Sequence, residues 1–498
     1  MGVIKKQGIL NTIIVYLGIV IGFVSLLVVQ PQLLSPSEVG LIRLLLSFGS
    51  LLAAVFPLGA PNINVKYLPK FYSPAHKHHG FFGLMLLFPL AGILMGLIAL
   101  NFAKGWIIGL YAEKSILFVN YFYLVAPLAV LITFIYSFNA YCNAIFKTVF
   151  PSVLNDILNR TLLILIIVLY FFKFINLDQF ILCFTIIYAV QGCLLLLYIF
   201  LKGSPGLFPD WKYIQEKIGL KKIIRYGLIL SFTSVSSISI KFLDSVFLGK
   251  QSLEAVGIYS VAAFIALIIE TPLNSLERIA NSKIAHLLTE NNTEEIKKIY
   301  TTSSRYLMLL GGFLSCMVIV NINDLLLFLP EAYRSGAMVT VIVSIGAFIN
   351  MATGINYPIL VNSSKYIWGS VFLLILLLLS LFGNWLLIDI FEMGIMGAAI
   401  AGAVSSSVYN ALKYFFIWRN FKMQPFNLVS IKILFVICLS LVLGYAIPSF
   451  SPGFISIVVR GTTCSLLFLA LTIYLNIVPE FHVYLPSILK KMLGSKQE

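Results

Sequence analysis

Residues 33–58 read LLSPSEVGLIRLLLSFGSLLAAVFPL. After the polar opening Ser35-Pro36-Ser37-Glu38 the run is too long for a strand and shows no every-second-residue alternation. Its one interior charge is Arg43, so it reads as a membrane-crossing helix. Thirteen further stretches share this character, giving spans near 9–29, 39–60, 81–103, 116–138, 149–172, 179–201, 223–248, 255–276, 303–322, 337–361, 366–388, 394–417, 429–449 and 454–478.

Composition agrees. The 498 residues are 60% hydrophobic and 11% charged, with a mean hydropathy of +0.99. A soluble chain carries roughly a quarter charged residues, so lipid must be the solvent for most of this one. Soluble enzymes, nucleic-acid-binding domains and disulfide-stapled secreted folds are excluded as the main reading. The six cysteines (142, 183, 193, 316, 438 and 464) lie scattered in apolar stretches without a CxxC, as small core residues do. The run after Lys5-Lys6 is too long for a signal-peptide core and no A-x-A site follows, so it is an uncleaved first span.

Lys and Arg total 34 against 19 acids, a formal charge of +15. With an even number of spans both termini share one side. Placing them in the cytoplasm puts 25 of the 34 bases there, five outside and four (Arg43, Arg160, Lys241, Arg460) within spans. That split sets the orientation and accounts for the +15 without a nucleic-acid partner. Two longer charged connections, 202–222 and 277–302, are expected on the cytoplasmic face. No G-x-x-x-x-G-K-[ST] occurs, and His76-Lys77-His78-His79 reads as a solvated basic loop, so no cofactor and no metal site are expected.

The halves echo each other. Val39-Gly40 opens span two and Val256-Gly257 opens span eight, 217 positions on (256 − 39). Pro57-Leu58 and Pro272-Leu273 come late in the same two spans. Lys147 with Ser152-Val153 is matched by Lys365 with Ser370-Val371, 218 on (365 − 147). Span n therefore superposes on span n+6 in the same orientation. The expected architecture is an all-α polytopic membrane protein of about 14 helices in two six-helix bundles, 1–201 and 222–420. A linker, 202–221, joins the bundles, and 421–498 appends two helices and a cytoplasmic tail. Pro127, Pro272 and Pro358 are expected to bend spans four, eight and ten.

Leu33–Leu41 entering span two, Phe56-Pro57-Leu58-Gly59-Ala60 near its end, Leu253–Ser260 preceded by Asp244 and Gly249, and Pro330-Glu331-Ala332-Tyr333 carry a resemblance over nearly the whole chain. The sequence resembles the polysaccharide flippases of the multidrug/oligosaccharidyl-lipid/polysaccharide exporter superfamily. The resemblance implies a V-shaped transporter in a bacterial inner membrane. It implies alternating-access movement of undecaprenyl-diphosphate-linked oligosaccharide, such as O-antigen (lipopolysaccharide) or capsule repeat units, to the outer leaflet. Spans one, two, seven and eight would line the cavity. Implied partners are the lipid-linked oligosaccharide, membrane lipids, other polysaccharide-assembly proteins and a coupling H⁺ or Na⁺. Two relatives remain as alternatives, a multidrug/cation antiporter and a lipid II flippase. An enzyme would need a sizeable outer loop with catalytic side chains, which the spacing leaves no room for.

A charge at the bilayer centre costs ~2.5–3.5 kcal/mol on insertion scales, so each needs a reason. Arg43, Ser47, Ser50 and Ala54 share one helix face, as do Ser231, Ser234, Ile238, Lys241 and Asp244, and Glu270, Asn274, Glu277 and Asn281. Arg43, Lys241, Asp244 and Glu270 are the candidate cavity residues, with the two cations offered to a lipid-linked diphosphate. Glu38, Asn274, Glu277 and Arg278 are candidates for gating or coupling, and Arg460 for a lipid-tail groove. The plainer reading is a Lys241–Asp244 i,i+3 pair and an Arg43 that snorkels outward.

Overall fold

A computed structural model describes residues 2–203, 205–448, 450 and 453–478. The tail bases Lys490, Lys491 and Lys496 lie outside the described residues. The described chain is helical throughout, with no strand. Fourteen of its helices are long and apolar enough to cross a membrane, from Ile13–Leu33 to Gly453–Tyr474. This is the expected count, because hydrophobic length is a local property that neighbours do not alter.

Local chemistry sets several boundaries. Ser35 caps span two (Pro36–Val55), accepting from the Glu38 N–H while the Glu38 carboxylate takes the Ser35 N–H. Asn176 with Gln179 and Asn427 with Ser430 form the same reciprocal cap on spans six and thirteen. The 277–302 connection departs from expectation. Span eight continues as one helix from Leu253 to Thr289, and span nine already begins at Thr293, capped by Asn292. Lys283 reaches Glu295 across the turn at 2.8 Å, so the stretch read as a charged loop is a helical hairpin. One proline expectation also changes. Pro272 sits inside span eight without ending it. Span ten does break at Thr353–Ile355, around Gly354 at φ +68 and just before Pro358, and span four tightens into a 3₁₀ turn at Phe122–Leu124 just before Pro127, while a further break falls at Pro57–Gly59, where Leu58 and Gly59 take positive φ.

The chain forms two compact units. The first comprises Met1–Val261 with Leu377–Ala398, the second Ala262–Leu376 with Ala399–Glu498. In the first, Val39, Leu41 and Leu44 of span two pack with Phe118 and Leu128 of span four and Phe180 of span six. A second cluster joins Phe71, Phe82, Tyr141 and Leu195. In the second unit Ile284, Ile296, Tyr300, Ile355 and Ile417 form one core, and Met308, Cys316, Val436 and Phe468 another.

Lipid tails are as apolar as leucine, so helices associate where small residues allow close packing. Span one shows this at Gly18 and Gly22, where Asp156 and the Arg160 guanidinium of span five lie against the glycine faces and Arg160 donates to the Gly18 carbonyl. The two repeat motifs show it more sharply. A Cβ on Gly40 would collide with the Leu253 carbonyl, and one on Gly257 with the Pro36 carbonyl. The Val-Gly pairs that mark the repeat are thus each other's crossing point.

Candidate functional site

The four candidate residues of the first unit, Glu38, Arg43, Lys241 and Asp244, have unequal surroundings. Arg43 lies half-buried on span two, and the ionisable groups acting on it are Tyr188 of span six and Arg160 of span five. Its Nε is buried without a hydrogen-bond acceptor. Glu38, one turn away, is not its counter-ion. One Glu38 oxygen caps Ser35 and the other accepts the Tyr170 hydroxyl at 2.5 Å. Below Arg43 the expected polar stripe is buried, with Ser47 donating to the Arg43 carbonyl at 2.7 Å. Glu38 is therefore placed as a helix-end fastener between spans two and five.

Lys241 is exposed on span seven (Leu220–Gly249), and no carboxylate reaches it among the described residues. Its supposed partner Asp244 is committed elsewhere. Asp244 accepts from Asn384 Nδ2 at 2.8 Å and from the Tyr259 hydroxyl. Asn384 is fully buried. The i,i+3 pair therefore does not form, because Asp244 turns toward span eleven. Next to it Lys250 pairs with Asp389, and Gln251 donates to the Ile388 carbonyl at 2.8 Å.

Glu270, Asn274, Glu277 and Arg278 belong to the second unit. Glu270 accepts from Asn350 Nδ2 at 3.0 Å, one turn before the break in span ten. Glu277, two turns on along the same face, acts with Glu270 on Lys413 of span twelve. Lys413 is 4% exposed, and its ammonium lies 4.1 Å from the Tyr409 ring centroid. Orientation by charge counted Lys413 as a cytoplasmic base. The structure instead buries it inside Gly394–Phe421, against the Tyr409 ring and within electrostatic reach of Glu277 and Glu270. The signal was present, since 413 falls within the 394–417 span. Asn274 and Arg278 are exposed on the same helix, without a partner among the described residues.

Arg460 is bound to protein. Its Nη1 meets Asp324 Oδ2 at 2.8 Å, its Nε donates to the Ile447 carbonyl at 3.0 Å, and Ser456 adds a second donor to Asp324 at 2.9 Å. One face along, a cavity of 440 Å³ between spans nine and fourteen is lined by Leu309, Leu310, Phe313, Phe468 and Leu469.

The histidine loop also departs from expectation at His78, which is 1% exposed. Its Nδ1 accepts the Ser73 N–H at 3.0 Å, so its Nε2 donates to the Gly203 carbonyl at 2.9 Å. Among the described residues no group of three His, Cys, Asp or Glu side chains could hold a metal.

No protein-family profile and no curated protein matches the sequence. Solved structures do match. The chain superposes on the lipid II flippase MurJ in an inward closed conformation with a TM-score of 0.75 at 15% identity, covering 94% of this chain and 98% of that one. An inward-facing MATE multidrug transporter of the MOP superfamily gives 0.61 at 14% identity, over 83% and 94%. The MATE multidrug transporter DinF-BH gives 0.55 at 15%, over 84% and 95%. At these identities the likeness speaks for the fold. The chain is a multi-pass, all-helical membrane protein with the fold of these transporters.

Proposed function

We propose that this protein moves a polyprenyl-diphosphate-linked oligosaccharide between membrane leaflets by alternating access. The observation that carries the proposal is the pair of uncompensated cations, Arg43 with its orphaned Nε and Lys241 exposed on a membrane span. A cation in a span is retained where an anion or water meets it. Two cations without acid partners suit a diphosphate better than a cationic drug. The groove of Leu309, Phe313, Phe468 and Leu469 offers apolar walls to the prenyl tail, while the Arg460–Asp324 pair fastens span fourteen beside it.

Glu270, Glu277 and Lys413 add up to one net negative charge when all are ionised. That gives the second unit a place for one coupling H⁺ or Na⁺. The bacterial inner membrane, cytoplasmic termini and O-antigen or capsule units as cargo follow from the charge split and the sequence resemblance. Lipid II is the second reading of the cargo, favoured by the 94% and 98% mutual coverage with the lipid II flippase structure. Both cargoes carry sugars on a diphosphate.

The test is translocation of lipid-linked oligosaccharide in vesicles, comparing wild type with Arg43→Ala and Lys241→Ala at matched expression. Both variants should lose outer-leaflet glycan. Undiminished translocation in both would overturn the cationic-site reading. Efflux of cationic dyes without glycan movement in wild type would make the chain an antiporter.

A further inference from the structure

The break in span two opens a polar cavity that the cationic residues do not use. Pro57 has no N–H to give the Ala53 carbonyl, and the Leu58 N–H goes to Val55 instead of Ala54. Two carbonyls thus lose their helical donors, and both alanines line a cavity of 240 Å³. The Gly59 face of the break lies directly on the Gly227 backbone of span seven, which holds the opening between spans two, four and seven.

The other polar walls are Asn62, Tyr136, Asn139, Asn143, Ser231 and Ser234. Asn62 Nδ2 donates to Ser234 Oγ at 2.9 Å across the seam. Asn139 Oδ1 is buried without a donor. Ser231 donates to the Leu228 carbonyl at 2.7 Å and Asn139 Nδ2 to Asn155 Oδ1 at 3.4 Å, which leaves Asn139 Oδ1 and the two freed carbonyls as the groups that call for a donor from a ligand or water.

The chemistry of the walls selects the ligand. No lysine, arginine, aspartate or glutamate lines the cavity, which excludes a diphosphate and a cationic drug as its occupant. Six polar side chains exclude a prenyl tail. Amides offer a donor and an acceptor side by side, matching adjacent hydroxyls on a ring, and a tyrosine face covers the ring's C–H surface. The volume equals that of about eight waters, room for one sugar ring.

We propose that the cavity between the Pro57–Gly59 break, span four and span seven is a subsite for a single uncharged sugar ring, with Asn62, Asn139 and Ser234 reading its hydroxyls. The inference rests on the flippase reading above and deepens it, making the carbohydrate as well as the diphosphate a recognised part of the cargo.

The test uses the full-length protein in lipid nanodiscs. The probes are undecaprenyl diphosphate, bare or carrying one uncharged hexose, and the readout is the ratio of their two dissociation constants. Wild type should prefer the hexose-bearing lipid by ~3–10-fold, the worth of one or two neutral hydrogen bonds. Asn139→Ala, which removes the buried amide, and Ser234→Leu, which fills the cavity, should bring the ratio toward one. Arg43→Ala should weaken both lipids in parallel and keep the ratio. A wild-type ratio of one, or a ratio unchanged in both cavity variants, overturns the subsite.

A second readout is independent of the lipid. In a background without the six native cysteines, free hexose should slow maleimide modification of Asn143→Cys, and equal osmolarity of sodium chloride should not. Protection by hexose when neither lipid binds would sink the flippase reading and keep the sugar subsite. Lipid binding with neither protection nor preference would sink the subsite and keep the flippase.

Discussion

Replacing Arg460 by leucine should destabilise the second unit far more than replacing Arg460 and Asp324 together. The Arg460–Asp324 contact is 2.8 Å, with side-chain exposures of 14% and 7%, so neither charge has bulk water to fall back on. Removing the guanidinium leaves the Asp324 carboxylate with the Ser456 hydroxyl at 2.9 Å as its hydrogen-bond partner. Leaving one buried charge of a pair uncompensated costs ~3–5 kcal/mol. Replacing both by leucine removes the charge along with its partner, and such swaps are neutral to stabilising by ~1–4 kcal/mol elsewhere. The double variant should therefore recover most of the loss. Asp324→Leu should cost less than Arg460→Leu, because a freed arginine has a long stem with which to reach the interface. Thermal unfolding midpoints in detergent for all four proteins, read as a double-mutant cycle, give the coupling. The structural assignment fails if Arg460→Leu is as stable as wild type, or if the double variant is no better than Arg460→Leu. Should the double variant keep full stability yet lose glycan transport, Arg460 acts on the lipid and not only on Asp324.

Gly40→Ala and Gly257→Ala each drive a methyl into a facing backbone carbonyl, so each should lose ~1–3 kcal/mol or more of stability in the same unfolding assay, as overpacking does. Gly105→Ala, whose Cβ meets nothing within 4 Å, should be neutral or gain ~0.5–1 kcal/mol by helix propensity. Equal effects at the three positions would refute the crossing. Lys413→Met should lower stability by removing the buried cation that acts on Glu277 and Glu270, and adding Glu277→Gln should restore part of it. A stable Lys413→Met protein would mean that the lysine is not their counter-ion. For orientation, Glu216→Cys and Glu113→Cys in a background without native cysteines should label from opposite faces, with Glu113→Cys reached by impermeant maleimide in right-side-out vesicles. The reverse pattern would invert the topology.

Much of the fold was legible because its determinants are local. Twenty apolar residues in a row span a bilayer whatever packs beside them, and reciprocal caps such as Ser35 with Glu38 lie within one turn of chain. The helical hairpin at Lys283–Glu295 was missed because its charges were read as a connection, although Ala280, Ile284 and Leu287 recur at helical spacing and pack into the core with Ile296 and Tyr300. Helix breaks fell at Pro57–Gly59 and Gly354 and not at Pro272, because a proline ends a helix only where the neighbouring backbone also leaves the helical region.

Pairing was the part that sequence could not reach. Periodicity tells which side chains share a face of one helix and is silent on what that face meets. The plainer of the two sequence readings put Lys241 beside Asp244, while packing turned Asp244 to Asn384 and Tyr259. Sequence put Arg460 in a lipid groove, while packing gave it Asp324, and it left Lys413 among the solvated bases, while packing buried it with two glutamates. The repeated Val-Gly pairs sit between these limits. The sequence alone establishes that Val39-Gly40 and Val256-Gly257 correspond. Only the tertiary structure shows that they touch, and it supplies the reason both are glycine, since at that crossing a carbonyl oxygen occupies the place of each missing Cβ.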